Sequence, residues 1–168
     1  PYVGNVVFGL SSSEVGLLFA ITAVGYLVGN FIAGRFSVRL GMNRMILWGT
    51  LASISGLAML TLVTLAGVHS PYVFFGFTLA LGFGNGMTLP NANAGMLSIK
   101  PELAGTASGL GGAIQIGGGA ALAALAGALL TEGATEMPLV LLMLASAILA
   151  LFSILAVIRR ARTLGLSD

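Results

Sequence analysis

All seven Lys and Arg residues of this 168-residue chain lie outside five long apolar stretches. The stretches run roughly from Val15 to Gly34, Met45 to Val68, Pro71 to Leu97, Ala104 to Leu130 and Met137 to Ile158, and none contains Asp, Glu, Lys or Arg. A hydrocarbon core about 30 Å thick needs about 20 helical residues at roughly 1.5 Å rise, so each stretch is long enough to cross a bilayer. Charged residues are 7% of the chain, where soluble domains carry about 25%, which argues against a soluble core. A transmembrane barrel would alternate polar and apolar positions over about ten residues, whereas Met137 to Ile158 is apolar except for Pro138, Ser146 and Ser153. The expected class is an all-α membrane protein with five transmembrane helices.

The connections sort by charge. Arg35, Arg39 and Arg44 separate the first two stretches, Lys100 separates the third and fourth, and Arg159, Arg160 and Arg162 follow the fifth. The other side holds Glu14, His69, Glu132 and Glu136 and no basic residue. Under the positive-inside rule the basic connections and the C-terminus face the cytoplasm, and residue 1 faces outward. The formal charge of +2 then reflects orientation and contact with anionic lipid, not a nucleic-acid surface. Without cysteine there is no disulfide or thiolate metal site, and no cofactor is expected. His69 reads as a solvated turn residue, and Glu132 and Glu136 as a solvated pair able to draw cations to an outer vestibule.

Ser11-Ser12-Ser13-Glu14 has the form of a capping box at the start of the first membrane helix. Before it, Pro1 to Val7 reads as the outer end of a sixth helix, so that residues 1–168 are expected to be part of a longer protein. Connections of about three residues around His69 and about six around Lys100 and Glu132 force successive helices to lie as antiparallel neighbours in one bundle.

The five stretches differ in polarity. The second and fifth have only small hydroxyl residues among their apolar ones, which suits lipid-facing helices. The third carries Gly82, Gly84, Asn85, Gly86, Pro90, Asn91, Asn93 and Gly95, a composition that loosens a helix and demands shelter for its backbone. In the fourth, Gly105, Gly109, Ala113, Gly117 and Ala121 recur every four residues, and Gly119, Ala123 and Gly127 form a second row. Such rows admit another helix at close range, and a smooth glycine surface equally permits sliding or bending. Tyr26, Asn85 and Gln115 fall near mid-membrane on three different helices. Two roles fit them: hydrogen bonds between helices, or the polar lining of a substrate cavity.

The segment Gly34-Arg35-Phe36-Ser37-Val38-Arg39-Leu40-Gly41-Met42-Asn43-Arg44 resembles the loop signature of the major facilitator superfamily. Gly34, Arg39, Gly41 and Arg44 fit it, whereas Val38 stands in place of the Asp, and Met42 and Asn43 replace basic positions. Phe8-Gly9-Leu10-Ser11, and Pro101 to Leu110 with its Ala-Gly-Thr-Ala-Ser run, are similar to the second half of bacterial drug-resistance exporters of the Bcr/CflA type. The resemblance covers nearly the whole chain, with the five stretches as helices 8 to 12.

The resemblance implies the C-terminal half of a twelve-helix transporter of the bacterial inner membrane. Its substrate cavity would lie near the bilayer midplane, against an N-terminal half outside this sequence, and would open by alternating access. It implies export of drugs or other small amphipathic compounds coupled to protons, with Tyr26, Asn85 and Gln115 as cavity candidates. Arg35, Arg39 and Arg44 become a cytoplasmic latch, and Pro90, Gly105, Gly109 and Gly117 sites of helix packing or bending. No Asp, Glu or His lies within the five stretches, so the residue that carries the proton is expected elsewhere. Transport of a sugar, amino acid or organic anion shares the fold and remains the alternative. A scaffold without transport is disfavoured by the glycine-rich third helix. An embedded enzyme is disfavoured because no acid, base or metal-ligand cluster stands at the membrane boundary.

Overall fold

Ser11 starts the first long helix with both halves of the capping box. Its hydroxyl accepts from the Glu14 backbone N–H at 3.3 Å, and the Glu14 carboxylate accepts from the Ser11 N–H at 2.8 Å. The computed structural model describes residues 2–98, 101–130 and 133–165. A π-helical turn, Val3–Val7, precedes five long helices: α1 (Ser12–Leu40), α2 (Met42–Leu65), α3 (Pro71–Ser98), α4 (Ala104–Leu129) and α5 (Met137–Thr163). A 3-10 turn, Pro101–Leu103, leads into α4. All five are long and apolar enough to cross a membrane, and no strand occurs among the described residues.

Between α1 and α2 there is almost no loop. The helix expected to end near Gly34 continues to Leu40, and Gly41 alone makes the connection. It has φ 91°, a conformation that an L side chain rarely adopts. Its N–H donates to the Ser37 carbonyl at 2.9 Å, and its own carbonyl accepts from Met45 at 3.3 Å. One glycine thus closes one helix and opens the next. The basic segment that reads as a loop in sequence is mostly the last two turns of α1 and the first of α2.

α3 is the centre of the bundle. It runs parallel to α1, with Gly25 beside Leu79 and Phe83 and Gly29 beside Gly86 and Met87. It runs antiparallel to α2, with Gly49 beside Gly84 and Thr88 and Gly56 beside Ala80. Both contacts are backbone to backbone, because the facing residues have no side chain or a small one. The expected loosening of α3 does not appear: the helix is unbroken through Pro90. Proline removes the N–H that would have reached the Gly86 carbonyl, and the flanking Asn91 side chain donates to the Met87 carbonyl at 2.7 Å.

α2 exposes one apolar side, with Trp48, Met59, Leu62 and Leu65, but is more buried than its composition suggests. Eight of its residues, from Met45 to Thr64, are buried, because one side packs on α3 and another on α5. α5 fits its expectation better, with only Val140, Ala147 and Ile154 buried and Leu149 and Phe152 exposed. α4 has no buried residue at all and touches α3 and α5 lightly. The tightest apolar packing lies at the end of the bundle where α1 and α5 begin. There Val3, Val15, Leu60, Phe74, Phe75, Leu130 and Val140 form a cluster, and Phe74 and Phe75 meet edge to face with centroids 5.2 Å apart.

Candidate functional site

α2, α3, α4 and α5 enclose a cavity of about 400 Å³. Its walls are apolar side chains of α4 and α5, such as Leu122, Leu142 and Met143, with a polar strip formed by Thr50, Ser53, Asn85, Thr88 and Ser146. Several of these hydroxyls are already committed to their own helix: Thr50 donates to Ile46 at 2.8 Å and Ser146 to Leu142 at 2.8 Å. Asn85 is not, since its exposed side chain makes no hydrogen bond among the described residues. A free carboxamide on an apolar wall can both donate to and accept from a small molecule. Such a site suits an amphipathic compound, with apolar walls supplying contact area and few polar groups fixing orientation.

The three mid-membrane candidates do not share one pocket. Asn85 lines the cavity, while Tyr26 and Gln115 are exposed on α1 and α4. Tyr26 is level with Asn85, because its backbone packs against Gly82 and Gly86. Gln115 is not at that depth. Gly111 lies beside Met96 and Leu122 shares the cavity with Asn85, a register that sets Gln115 level with Ala92. That is two turns away, roughly 10 Å at 1.5 Å per residue. Sequence position alone missed this offset, because α4 crosses at a different height from α3.

Thr22 and Thr78 form a polar bridge that sequence reading passed over. Their hydroxyl oxygens are 2.6 Å apart, linking α1 to α3. Thr78 also donates to the Phe75 carbonyl at 2.7 Å. A hydroxyl has one hydrogen, so Thr22 is the donor across the helices. The recoverable signal was geometric: Thr22 is one turn before Tyr26, and Thr78 one turn before Gly82, on the faces carrying the glycine pairs.

The glycine row of α4 receives nothing among the described residues. A Cβ added at Gly105, Gly109 or Gly117 would meet no atom within 4 Å, and all three residues are exposed. The close helix approach anticipated for that row occurs instead on α1, α2 and α3. Pro90 lies inside α3 with its side chain half-buried.

Gly34, Arg35 and Arg39 occupy the last turns of α1 and are exposed, as is Arg44 in the first turn of α2. Gly41 joins them. With Arg159, Arg160 and Arg162 at the end of α5, they make one end of the bundle basic. Arg39 is also in the last turn of α1, where a cation opposes the negative end of the helix dipole. None of these arginines makes an ion pair among the described residues. Lys100 and Glu132 lie outside the described residues.

The opposite end corrects the reading of two of its titratable residues. Glu136 is not solvated: it is 2% exposed, at the start of α5. His69, in the α2–α3 connection, places Nδ1 2.9 Å from Glu136 Oε1. The two are 67 positions apart, and no local pattern in the sequence announces their pairing.

The fold and these surfaces agree with the comparison to known families. No match is found among curated proteins or among solved structures. The description of the Major Facilitator Superfamily, however, matches residues 4–167. That span includes all five membrane-length helices, the arginine-bearing Gly34–Arg44 segment and the cavity. This chain belongs to the Major Facilitator Superfamily, a family of secondary transporters that move small molecules across the lipid bilayer.

Proposed function

We propose that the chain forms the C-terminal half of a twelve-helix transporter that exports drugs or other small amphipathic compounds in exchange for protons. The observation that carries this reading is α4: a membrane-length helix with no buried residue and an open row of glycines. A row of that kind is suited to receive another helix closely, and the described residues supply none. An N-terminal half seated there would complete a two-half architecture with a central cavity that opens alternately to each side.

Substrate class is read from the cavity walls. Apolar side chains with one uncommitted carboxamide at Asn85 favour an amphipathic molecule over a sugar, which would need many polar partners. Tyr26 and Gln115, exposed on α1 and α4, offer further polar contacts, Gln115 on the side of α4 away from its glycine row, since it is two residues, about 200° of helical rotation, from Ala113 and Gly117. Arg35, Arg39 and Arg44 are placed to latch the basic end against neighbouring helix ends, whose orientation toward the cytoplasm follows from the positive-inside rule. The membrane is then the bacterial inner membrane, with the C-terminus on its cytoplasmic side.

The test is transport by the complete protein in proteoliposomes, with ethidium as the amphipathic probe. An imposed proton gradient should drive ethidium movement against its own gradient, and dissipating the proton gradient should stop it. Movement unaffected by protons would overturn the coupling. Absence of ethidium transport together with transport of a labelled sugar or amino acid would replace the substrate class.

A further inference from the structure

The five membrane stretches supply no acid or histidine, yet a buried carboxylate stands at the end of the bundle remote from the arginines. Glu136 is 2% exposed. Its Oε1 faces the His69 imidazole at 2.9 Å, and its Oε2 is buried with no hydrogen-bond partner among the described residues. The side chain of His69 is 47% exposed. One ring edge is therefore held by the carboxylate while the residue keeps access to solvent.

We propose that His69 and Glu136 form a proton-binding site, loaded from solvent through the imidazole, whose occupancy sets how firmly the α2–α3 connection is held to the start of α5. A contact of this length contains a hydrogen, carried either by Nδ1 or by Oε1. With Nδ1–H donating to an ionised carboxylate, the pair has a net charge of −1 and leaves Oε2 anionic and unpartnered in an apolar setting. A second proton adds at Nε2. The product is an imidazolium beside a carboxylate or, after the Nδ1 hydrogen moves to Oε1, a neutral imidazole beside a carboxylic acid. Both forms are net neutral and differ only in which of the two facing atoms, Nδ1 or Oε1, holds the shared hydrogen. Charge in an apolar site is costly unless paired, so the site's occupancy changes the electrostatics of its surroundings.

Few other groups can interfere. Among the described residues, the first turn of α3 contributes Tyr72, whose ring is exposed, and the ends of α2 and α4 contribute no titratable group. Glu14, at the start of α1, is taken by Ser11, Tyr2 is exposed, and Glu132 lies outside the described residues. Val140, one turn into α5, is fully buried in the apolar cluster that also holds Phe74 and Phe75 of α3. Loading or unloading the pair therefore acts where α2, α3 and α5 meet. Its use in driving transport rests on the proposed function; proton binding itself rests on the pair alone.

The test needs no transported substrate. The complete protein in lipid vesicles, labelled with 15N-histidine, is followed by nuclear magnetic resonance and by infrared difference spectroscopy between about pH 8 and pH 5, the range in which histidine ordinarily titrates. The His69 signals are identified by their loss in His69→Gln, and the carboxyl band by its loss in Glu136→Gln. In the unsubstituted protein the ring signals and the carboxyl band should change together over one pH interval, and Glu136→Gln should shift the interval for His69. Ring and carboxyl curves that run independently, or a ring curve identical in Glu136→Gln, would overturn the proposal. The first criterion is read in the unsubstituted protein and uses the variants only to assign signals; should Glu136→Gln misfold, Glu136→Asp, which keeps a carboxyl, assigns the band by its displacement. A positive result here with no proton-driven transport would retain the site and discard its coupling role.

Discussion

Gly86 of α3 and Tyr26 of α1 meet backbone to backbone, so that a methyl group on Gly86 would be driven into the Tyr26 carbonyl oxygen. The same holds for Gly82 against the Thr22 carbonyl, one turn earlier. Neither oxygen can withdraw, since both belong to the helical backbone of α1. Gly86→Ala is expected to force α1 and α3 apart and to cost about 1–3 kcal/mol, the usual range for overpacking. Thermal unfolding in mild detergent measures it, with Gly95→Ala, which would meet nothing within 4 Å, as the control on the same helix. Equal stabilities for the two variants would mean that the α1–α3 contact is looser than described.

The glycines of α4 should behave in the opposite way. Gly109 is exposed, with open space where a side chain would go, so Gly109→Leu is expected to leave the stability of the bundle within about 0.5 kcal/mol, as for surface substitutions generally. If the proposed second half seats on the α4 glycine row, the same leucine falls on that contact in the complete protein. Transport is expected to drop while the amount of folded protein stays constant. Retained transport would show that no helix approaches Gly109 closely in any working state.

These two predictions mark what the sequence could and could not reveal. Five helices were legible because each stretch is long, apolar and free of charged residues, and membrane insertion depends on that summed property, not on which helix touches which. Packing partners were not legible from composition. The row from Gly105 to Gly117 is the most regular in the chain and has no neighbour among the described residues, whereas Gly25 with Gly29 and Gly82 with Gly86 form the real contact. Two glycines on one helix mean little until the facing helix proves equally small. The packed side of α2 was hidden for the same reason: Gly49, Ser53 and Gly56 serve a close contact with α3 that composition presents as mild polarity. The capping box at Ser11 was legible because it is local, and the pairing of His69 with Glu136 was not because it is made only by the fold.

The hydroxyl bridge between Thr22 and Thr78 gives an ordered set of expectations. Thr22→Val removes the donor, yet Thr78 still has the Phe75 carbonyl, so the loss should be near the average for interhelical hydrogen bonds in membranes, about 0.6 kcal/mol. Thr78→Val removes the acceptor and leaves the Thr22 hydroxyl half-buried without it, with a loss expected toward the upper end, about 1.7 kcal/mol. The double substitution should cost no more than Thr78→Val alone, because replacing both partners leaves no group unsatisfied. A double-mutant cycle by unfolding in detergent checks the order, and strictly additive losses would mean that the two hydroxyls do not bond across the helices.

Asn85 separates a binding role from a structural one. Its side chain lines the cavity and makes no hydrogen bond among the described residues, so Asn85→Leu deletes no bond among them. The added apolar surface would join Leu81, Leu122 and Ala123 in the cavity lining, and stability should stay the same or rise slightly. If the carboxamide orients substrate, its loss removes one hydrogen bond of about 0.5–1.5 kcal/mol, which corresponds to an increase of roughly 2- to 10-fold in apparent KM. Gln115, two turns away along the bundle, should show a weaker effect in Gln115→Leu for a compound small enough to fit a cavity of about 400 Å³. Concentration-dependent ethidium transport by the complete protein measures both. A large KM change at Gln115 with none at Asn85 would move the binding site out of the α2–α5 cavity and onto the open face of α4.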